Sequence, residues 1–152
     1  PAKFWNLANF TEFSRPVLIR DLDSKRDEIF ELRTNKSKPI LQQLTDQIPN
    51  LLTGSKIDYE ITGDIDIDPG IRFEVIRAIR EIVINSRRHS GCTQIAIHLT
   101  RSEITITDNG SGGVVEKNSS YGVMGVKERL NQINADLQIV SDTSGTKTVI
   151  KF

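Results

Sequence analysis

The 152-residue chain has one cysteine, one methionine, one tryptophan and no apolar run long enough to cross a bilayer. A lone Cys92 cannot form a disulfide within the chain, which fits a reducing compartment. Cys92 follows a glycine and precedes a strand-like run, so it reads as a small core residue. His89 and His98 are the two histidines and have no matching ligand partners, so a zinc site has no support. Charge of one sign is missing too. Twenty basic residues balance twenty acidic ones, which argues against a general nucleic-acid or membrane-surface role and leaves a local anion site open. The opening PAKFWNLANF lacks the continuous apolar stretch of a signal peptide. The chain starts at Pro1 rather than Met, so a fragment of a larger protein is expected. This part would be cytoplasmic, and whether the parent is anchored in the inner membrane stays open.

What is present suits one domain with one core: 37% of residues are hydrophobic and 26% charged. No repeat or low-complexity tract appears. Residues 1–25 read as an irregular segment or a remnant of a preceding dimerisation region, and 26–152 as the domain. Residues 21–34 suggest a polar helix that Ser37 to Pro39 breaks. Pro39 then opens a second helix, ILQQLTDQI, and Gly54 ends that segment. KIDYEIT (56–62) alternates, predicting a strand with Ile57, Tyr59 and Ile61 on one buried face. Asp68 and Pro69 start a long helix to Ser90, with Val75, Ile79, Ile82 and Val83 on its apolar face and Gly91 at its end. TQIAIHL (93–99) and EITIT (103–107) read as a hairpin. The Gly-rich DNGSGG, a Gly-opened helix GVMGVKERLNQI and two strands, 137–140 and 146–152, complete the chain. The order predicts an α+β two-layer sandwich, helices on one face of a mixed sheet.

Four elements carry chemistry. On the long helix Glu81, Asn85, Arg88 and His89 stand at i, i+4, i+7 and i+8, which a regular helix places on one face. A carboxylate and an amide one turn apart suit a hydrated Mg²⁺, and an Arg one turn further suits phosphate oxygens. A plain solvated stripe explains the segment equally well. Second, Asp108 ends a strand and leads into glycines; a carboxylate there can accept from an exocyclic amine and so select adenine over guanine, although Asp-Asn-Gly is also a common turn. Third, Gly122 and Gly125 open a helix, whose free N–H groups are a ready anion site. No Lys-Ser/Thr follows, so this is not a Walker loop. Fourth, Gly145-Thr146 heads the final strand: a hydroxyl for the base, or a hairpin turn with a β-favouring residue.

In series these elements resemble the GHKL superfamily of ATPases and kinases, and within it the histidine kinases of the NarX/DesK type. EIVINSRRHSG is similar to their N-box, DNGSG to the G1 box, YGVMGVKER to the G2 box and GTKTVIKF to the final strand, over about residues 26–152. The resemblance implies ATP and Mg²⁺ as cofactors. Asn85 would coordinate the metal with Glu81 beside it, and Arg88 and His89 would contact phosphates or ribose. Asp108 would accept the adenine amino group, helped by Gly112 and Thr146, with Gly110 and Val123 also at the nucleotide. Gly122 and Gly125 would meet phosphates through backbone N–H, and Val114 to Tyr121 would be the ATP lid. The family's phosphoacceptor histidine, followed by an acid on a dimerisation helix, is missing: His89 falls in the N-box and His98 in a strand. The expected reaction is therefore in-line transfer of the γ-phosphoryl group to a histidine in a separate dimerisation domain, on the same or a partner protomer. A response regulator lies downstream. The Glu81-xxx-Asn85 spacing also fits a serine kinase of the anti-sigma type, and a non-catalytic nucleotide-dependent module stays as a further alternative.

Overall fold

The computed structural model describes residues 38–112 and 121–152, together with Arg26. The chain divides between Lys36 and Ser37, and the sheet with its covering helices belongs to the second unit, Ser37–Phe152. The helix expected at 21–34, the boundary at 25/26 and most of the expected lid lie outside the described residues.

Helix α1, Ile40–Leu52, buries Ile40, Gln43, Leu44, Ile48 and Leu52 as one stripe at helical spacing. It runs one turn beyond the expected segment, through Pro49. The ring removes one backbone bond near the helix end; burial of Ile48 and Leu52 on either side of it holds the last turn. Strand β1, Asp58–Gly63, comes next. Helix α2, Pro69–Asn85, begins as expected: Asp68 Oδ1 accepts from Gly70 N at 2.7 Å and Pro69 occupies the first turn. Val75, Ile76, Ala78, Ile79 and Val83 face the core, while Ile82 is half-buried. The last turn, Ser86–Ser90, is a π-helical turn rather than more α-helix, and Gly91 closes it in the left-handed region.

Strands β2, Gln94–Leu99, and β3, Glu103–Asp108, form the expected antiparallel hairpin. Helix α3, Tyr121–Gln132, and strands β4, Asp136–Asp142, and β5, Gly145–Lys151, complete the described part. The sheet order is β1-β2-β3-β5-β4, mixed because β1 runs parallel to β2 and the other neighbours are antiparallel. One face carries Ile95, Ile97, Leu99, Ile104, Ile106, Leu137 and Ile150 into a core shared with α1, α2 and α3. This is the α+β sandwich that the sequence predicts. Strand β1 differs in one respect: Tyr59 is exposed, and Ile57 and Ile61 are only half-buried. It is an edge strand, so alternation there does not produce a fully covered face.

Candidate nucleotide site

The core alternation of β3 sets the position of the site. Ile104, Ile106 and Asp108 are buried while their neighbours are less so. Period 2 therefore turns the Asp108 carboxylate to the helix side, into the place where an apolar residue would otherwise continue the core. Its register partner on β5 is Thr146, and Thr146, Thr148 and Ile150 alternate in the same way. Two polar side chains thus stand together at one end of a hydrophobic sheet face, opposite the end of α2.

That end of α2 supplies the other wall. A cavity of about 210 Å³ is lined by Ile82, Asn85, Ser86, His89 and Ser90 from the helix, by Asp108 and Thr146 from the sheet, and by Gly112, Gly122 and Val123. Ile139 and Thr148 complete it. Seven of the expected residues therefore meet here: Asn85, His89, Asp108, Gly112, Gly122, Val123 and Thr146.

The base of the cavity is hydrogen-bonded throughout. Ser86 Oγ donates to Asp108 Oδ2 at 2.7 Å, and Gly110 N donates to Asp108 Oδ1 at 3.0 Å. Thr146 Oγ1 and Ser141 Oγ share a bond at 3.0 Å. The loop after Asp108 is docked on the π turn: Ser111 N donates to Ser90 O at 2.9 Å, and Ser90 Oγ donates to Ser86 O at 2.7 Å. Asn109 turns away from the cavity, its Oδ1 accepting from Thr93 N and Gln94 N. Gly112 adopts φ +70°, and a Cβ there would sit 1.9 Å from Asp142 O, so only glycine passes this point.

Four expected residues do not line the cavity. Arg88 is exposed on the π turn. Ile82, Asn85, Ser86 and His89, spaced i, i+3, i+4 and i+7, form the face that meets the cavity, and Arg88 lies to the side of it. Gly110 is packed against Ser90, where a Cβ would lie 2.5 Å from Ser90 O, and its N–H is given to Asp108. Gly125 lies a turn further along α3 than Gly122, and a Cβ there would meet nothing within 4 Å. Glu81 stands just outside: a Cβ on Gly122 would be 3.6 Å from Glu81 Oε1 and 3.7 Å from Asn85 Nδ2. Both side chains therefore border the N-terminal turn of α3.

Sequence reasoning missed Ser86, which bonds the one buried carboxylate of the cavity. Its signal was present: Ile82, Ser86 and Ser90 repeat at i, i+4, i+8, one residue offset from Glu81, Asn85 and His89. Among the described residues no group of three or more His, Cys, Asp or Glu could hold a metal. A donor set of one amide and one carboxylate suits an ion whose remaining ligands are phosphate and water oxygens.

By fold the chain matches histidine kinase catalytic domains. The blue-light activated histidine kinase of Erythrobacter litoralis EL346 superposes with a TM-score of 0.70 at 15% identity, over 90% of this chain and 49% of that one. The histidine kinase AdeS of Acinetobacter baumannii gives 0.59 at 12%, over 97% and 84%. In sequence the chain is 34% identical over 103 residues to the sensor protein VraS of Staphylococcus epidermidis, covering 63% of this chain and 29% of that protein. It is 33% identical over 103 residues to the Staphylococcus aureus protein of the same name. No family model matches. In sequence and in fold the chain is thus similar to sensor histidine kinases. It spans 29% of the length of the curated relatives it matches.

Proposed function

We propose that the domain binds Mg²⁺-ATP and presents its γ-phosphoryl group to a histidine on a separate dimerisation domain, for onward transfer to a response regulator. The observation that carries this is the buried Asp108 carboxylate, held by Ser86 and Gly110 at the closed end of a cavity whose other end is bordered by Asn85, His89 and Gly122. An oxygen already fixed by a donor keeps spare lone pairs. It can accept from the adenine amino group, and a guanine carbonyl cannot donate to it. Thr146 adds a hydroxyl at the same end.

At the open end, Asn85 and Glu81 fit a divalent cation, which when bound neutralises phosphate charge. Gly122 leaves room beside both side chains, and the N-terminal turn of α3 offers backbone N–H groups to phosphate oxygens. His89 reaches the same end. Arg88 is exposed on the turn beside it, and Gly110 serves the site by giving its N–H to Asp108 and packing closely on Ser90. The chain's own contribution is positioning of nucleotide and metal, which supplies much of the rate in phosphoryl transfer. No helix among the described residues is long and apolar enough to cross a membrane, and we place the domain in the cytoplasm, where ATP is available.

Calorimetric titration with ATP and GTP, each with and without Mg²⁺, tests the reading. Mg²⁺-dependent binding selective for ATP is the expected result, and binding of neither nucleotide defeats it. Labelled phosphate appearing on a supplied histidine-bearing domain separates histidine transfer from serine transfer.

A further inference from the structure

Arg129 lies on α3 two turns beyond Gly122 and does not line the cavity. It reaches across to α2, where Glu74 and Glu81 stand seven residues, or two turns, apart on one face. Arg129 Nε is 3.3 Å from Glu74 Oε2, and Arg129 Nη1 is 3.5 Å from Glu81 Oε2. The arginine side chain is 21% exposed and that of Glu81 36%. Both contacts are charge pairs by distance, yet Glu74 Oε2 and Arg129 Nη1 are buried without a hydrogen-bond partner. The clamp is formed but not drawn tight.

The two oxygens of Glu81 thereby face different surroundings. Oε2 is turned to Arg129, while Oε1 is directed at the N-terminal turn of α3, 3.6 Å from where a Cβ on Gly122 would stand, next to the Asn85 amide. We propose that Arg129 is a positioning residue for Glu81. By holding one carboxylate oxygen it fixes the side chain so that the other faces the phosphate and metal end. The proposal rests on that end being the metal and phosphate site of a kinase domain. Arg129 and Gly122 also stand on the same helix, so the guanidinium that holds Glu81 Oε2 and the turn that Glu81 Oε1 faces belong to one element. Glu74, further from the cavity, anchors the guanidinium and so sets the angle from which it reaches Glu81.

The test pairs a nucleotide-free measurement with a nucleotide-dependent one on this chain. Three-bond NMR couplings report the Glu81 χ1 rotamer without ATP. The wild-type chain is expected to show one rotamer and Arg129→Met an averaged set, with Arg129→Lys between them. The gain in ATP affinity on adding Mg²⁺ is then measured by calorimetry. Arg129→Met is expected to reduce that gain about tenfold while changing Mg²⁺-free affinity less than about twofold. Arg129→Lys should restore part of it, and Glu81→Gln should add little to Arg129→Met. Should Arg129→Met not fold, Glu74→Gln, which removes only the anchor, is expected to shift both readouts the same way and less far. Unchanged rotamer couplings in the variants overturn the proposal, and so do averaged couplings with an unchanged Mg²⁺ gain. If the wild-type chain binds no Mg²⁺-ATP, the kinase reading fails by itself, and the couplings still decide whether Arg129 holds Glu81.

Discussion

The two ends of the cavity are built differently. At the base end, Asp108 and Thr146 grow out of paired strands, and each has its side-chain partner within the protein. At the phosphate end, Asn85 and His89 sit on the last turns of α2, half-buried or exposed, and make no side-chain hydrogen bond among the described residues. The first end is organised before any ligand arrives. The second holds polar groups whose partners would be supplied by the ligand. On the proposed reading, a site of this kind would recognise the base through a rigid frame and leave its electrostatic capacity free for phosphate and metal.

Substitutions at the two ends should therefore fail differently. The largest effect is expected for Asp108→Ala. It removes the proposed acceptor for the base and strips Ser86 Oγ and Gly110 N of their partner in a buried place. ATP affinity should fall about 100-fold, and stability by about 1–3 kcal/mol from the unpaired donors. Calorimetry and denaturant melts measure the two losses separately, and full ATP affinity in this variant would remove the base from this end. Asp108→Asn should keep more of the fold and lose preference for ATP over GTP, because an amide can donate where the carboxylate only accepts.

Asn85→Ala should come next and show the opposite signature. Nothing in the described structure leans on the amide, so stability should move by less than about 0.5 kcal/mol. The Mg²⁺-dependent part of ATP affinity should drop about tenfold or more. A melt shifted as far as that of Asp108→Ala would mean that the phosphate end is structural after all.

Ser86→Ala should be milder and resemble the base end. It deletes one donor to Asp108 while Gly110 N still holds the other oxygen. About 1 kcal/mol of stability should go, with a few-fold loss of ATP selectivity in competition binding against GTP. Selectivity left intact would mean that Gly110 alone aims the carboxylate.

The same contrast explains what was legible in the sequence. The base end obeys simple periods. Alternation of Ile104, Ile106 and Asp108 places the acid inward, and the sandwich, the hairpin and the Asp68 cap of α2 come from equally local rules. The phosphate end was less plain, because its helix face was read one residue off and its helix ends in a π turn. Arg88 lies exposed beside the face that meets the cavity, and no residue in SRRHS announces the π turn at Ser86–Ser90. Here the turn is held from outside its own segment, by Ser111 on Ser90 O, with Cys92 N on Ser90 Oγ. Ser86 had a signal in its helical spacing with Ile82 and Ser90, but its partner Asp108, 22 residues away, gave that signal no meaning within the segment. Tyr59 was misplaced because alternation reports two faces without saying that a strand lies at the sheet edge.

The smallest expected effect lies where the base-end frame meets solvent. Asp142 ends β4, and its backbone oxygen lies where a Cβ on Gly112 would fall. Its exposed carboxylate accepts from the Ser144 hydroxyl and backbone N–H. The Ser144 hydroxyl, and after it the Ser144 N–H, hold its pKa below the ordinary 3.8. A carboxyl depressed in the folded state adds stability that is present above its unfolded pKa and is lost as pH falls through the folded one. Asp142→Asn should therefore lower the melting temperature slightly near neutral pH. The gap from the wild-type chain should close as the pH drops below the ordinary carboxylate range. Thermal melts of both chains across that range check it, and a gap that stays constant into acid would assign the effect to the turn's shape rather than to the charge. Because the group is exposed, water screens most of the gain, and nucleotide affinity should not change. That silence would itself sharpen the contrast between frame and ligand-facing residues: Asp142 contributes to the site through its backbone, against Gly112, and its side chain serves only the turn.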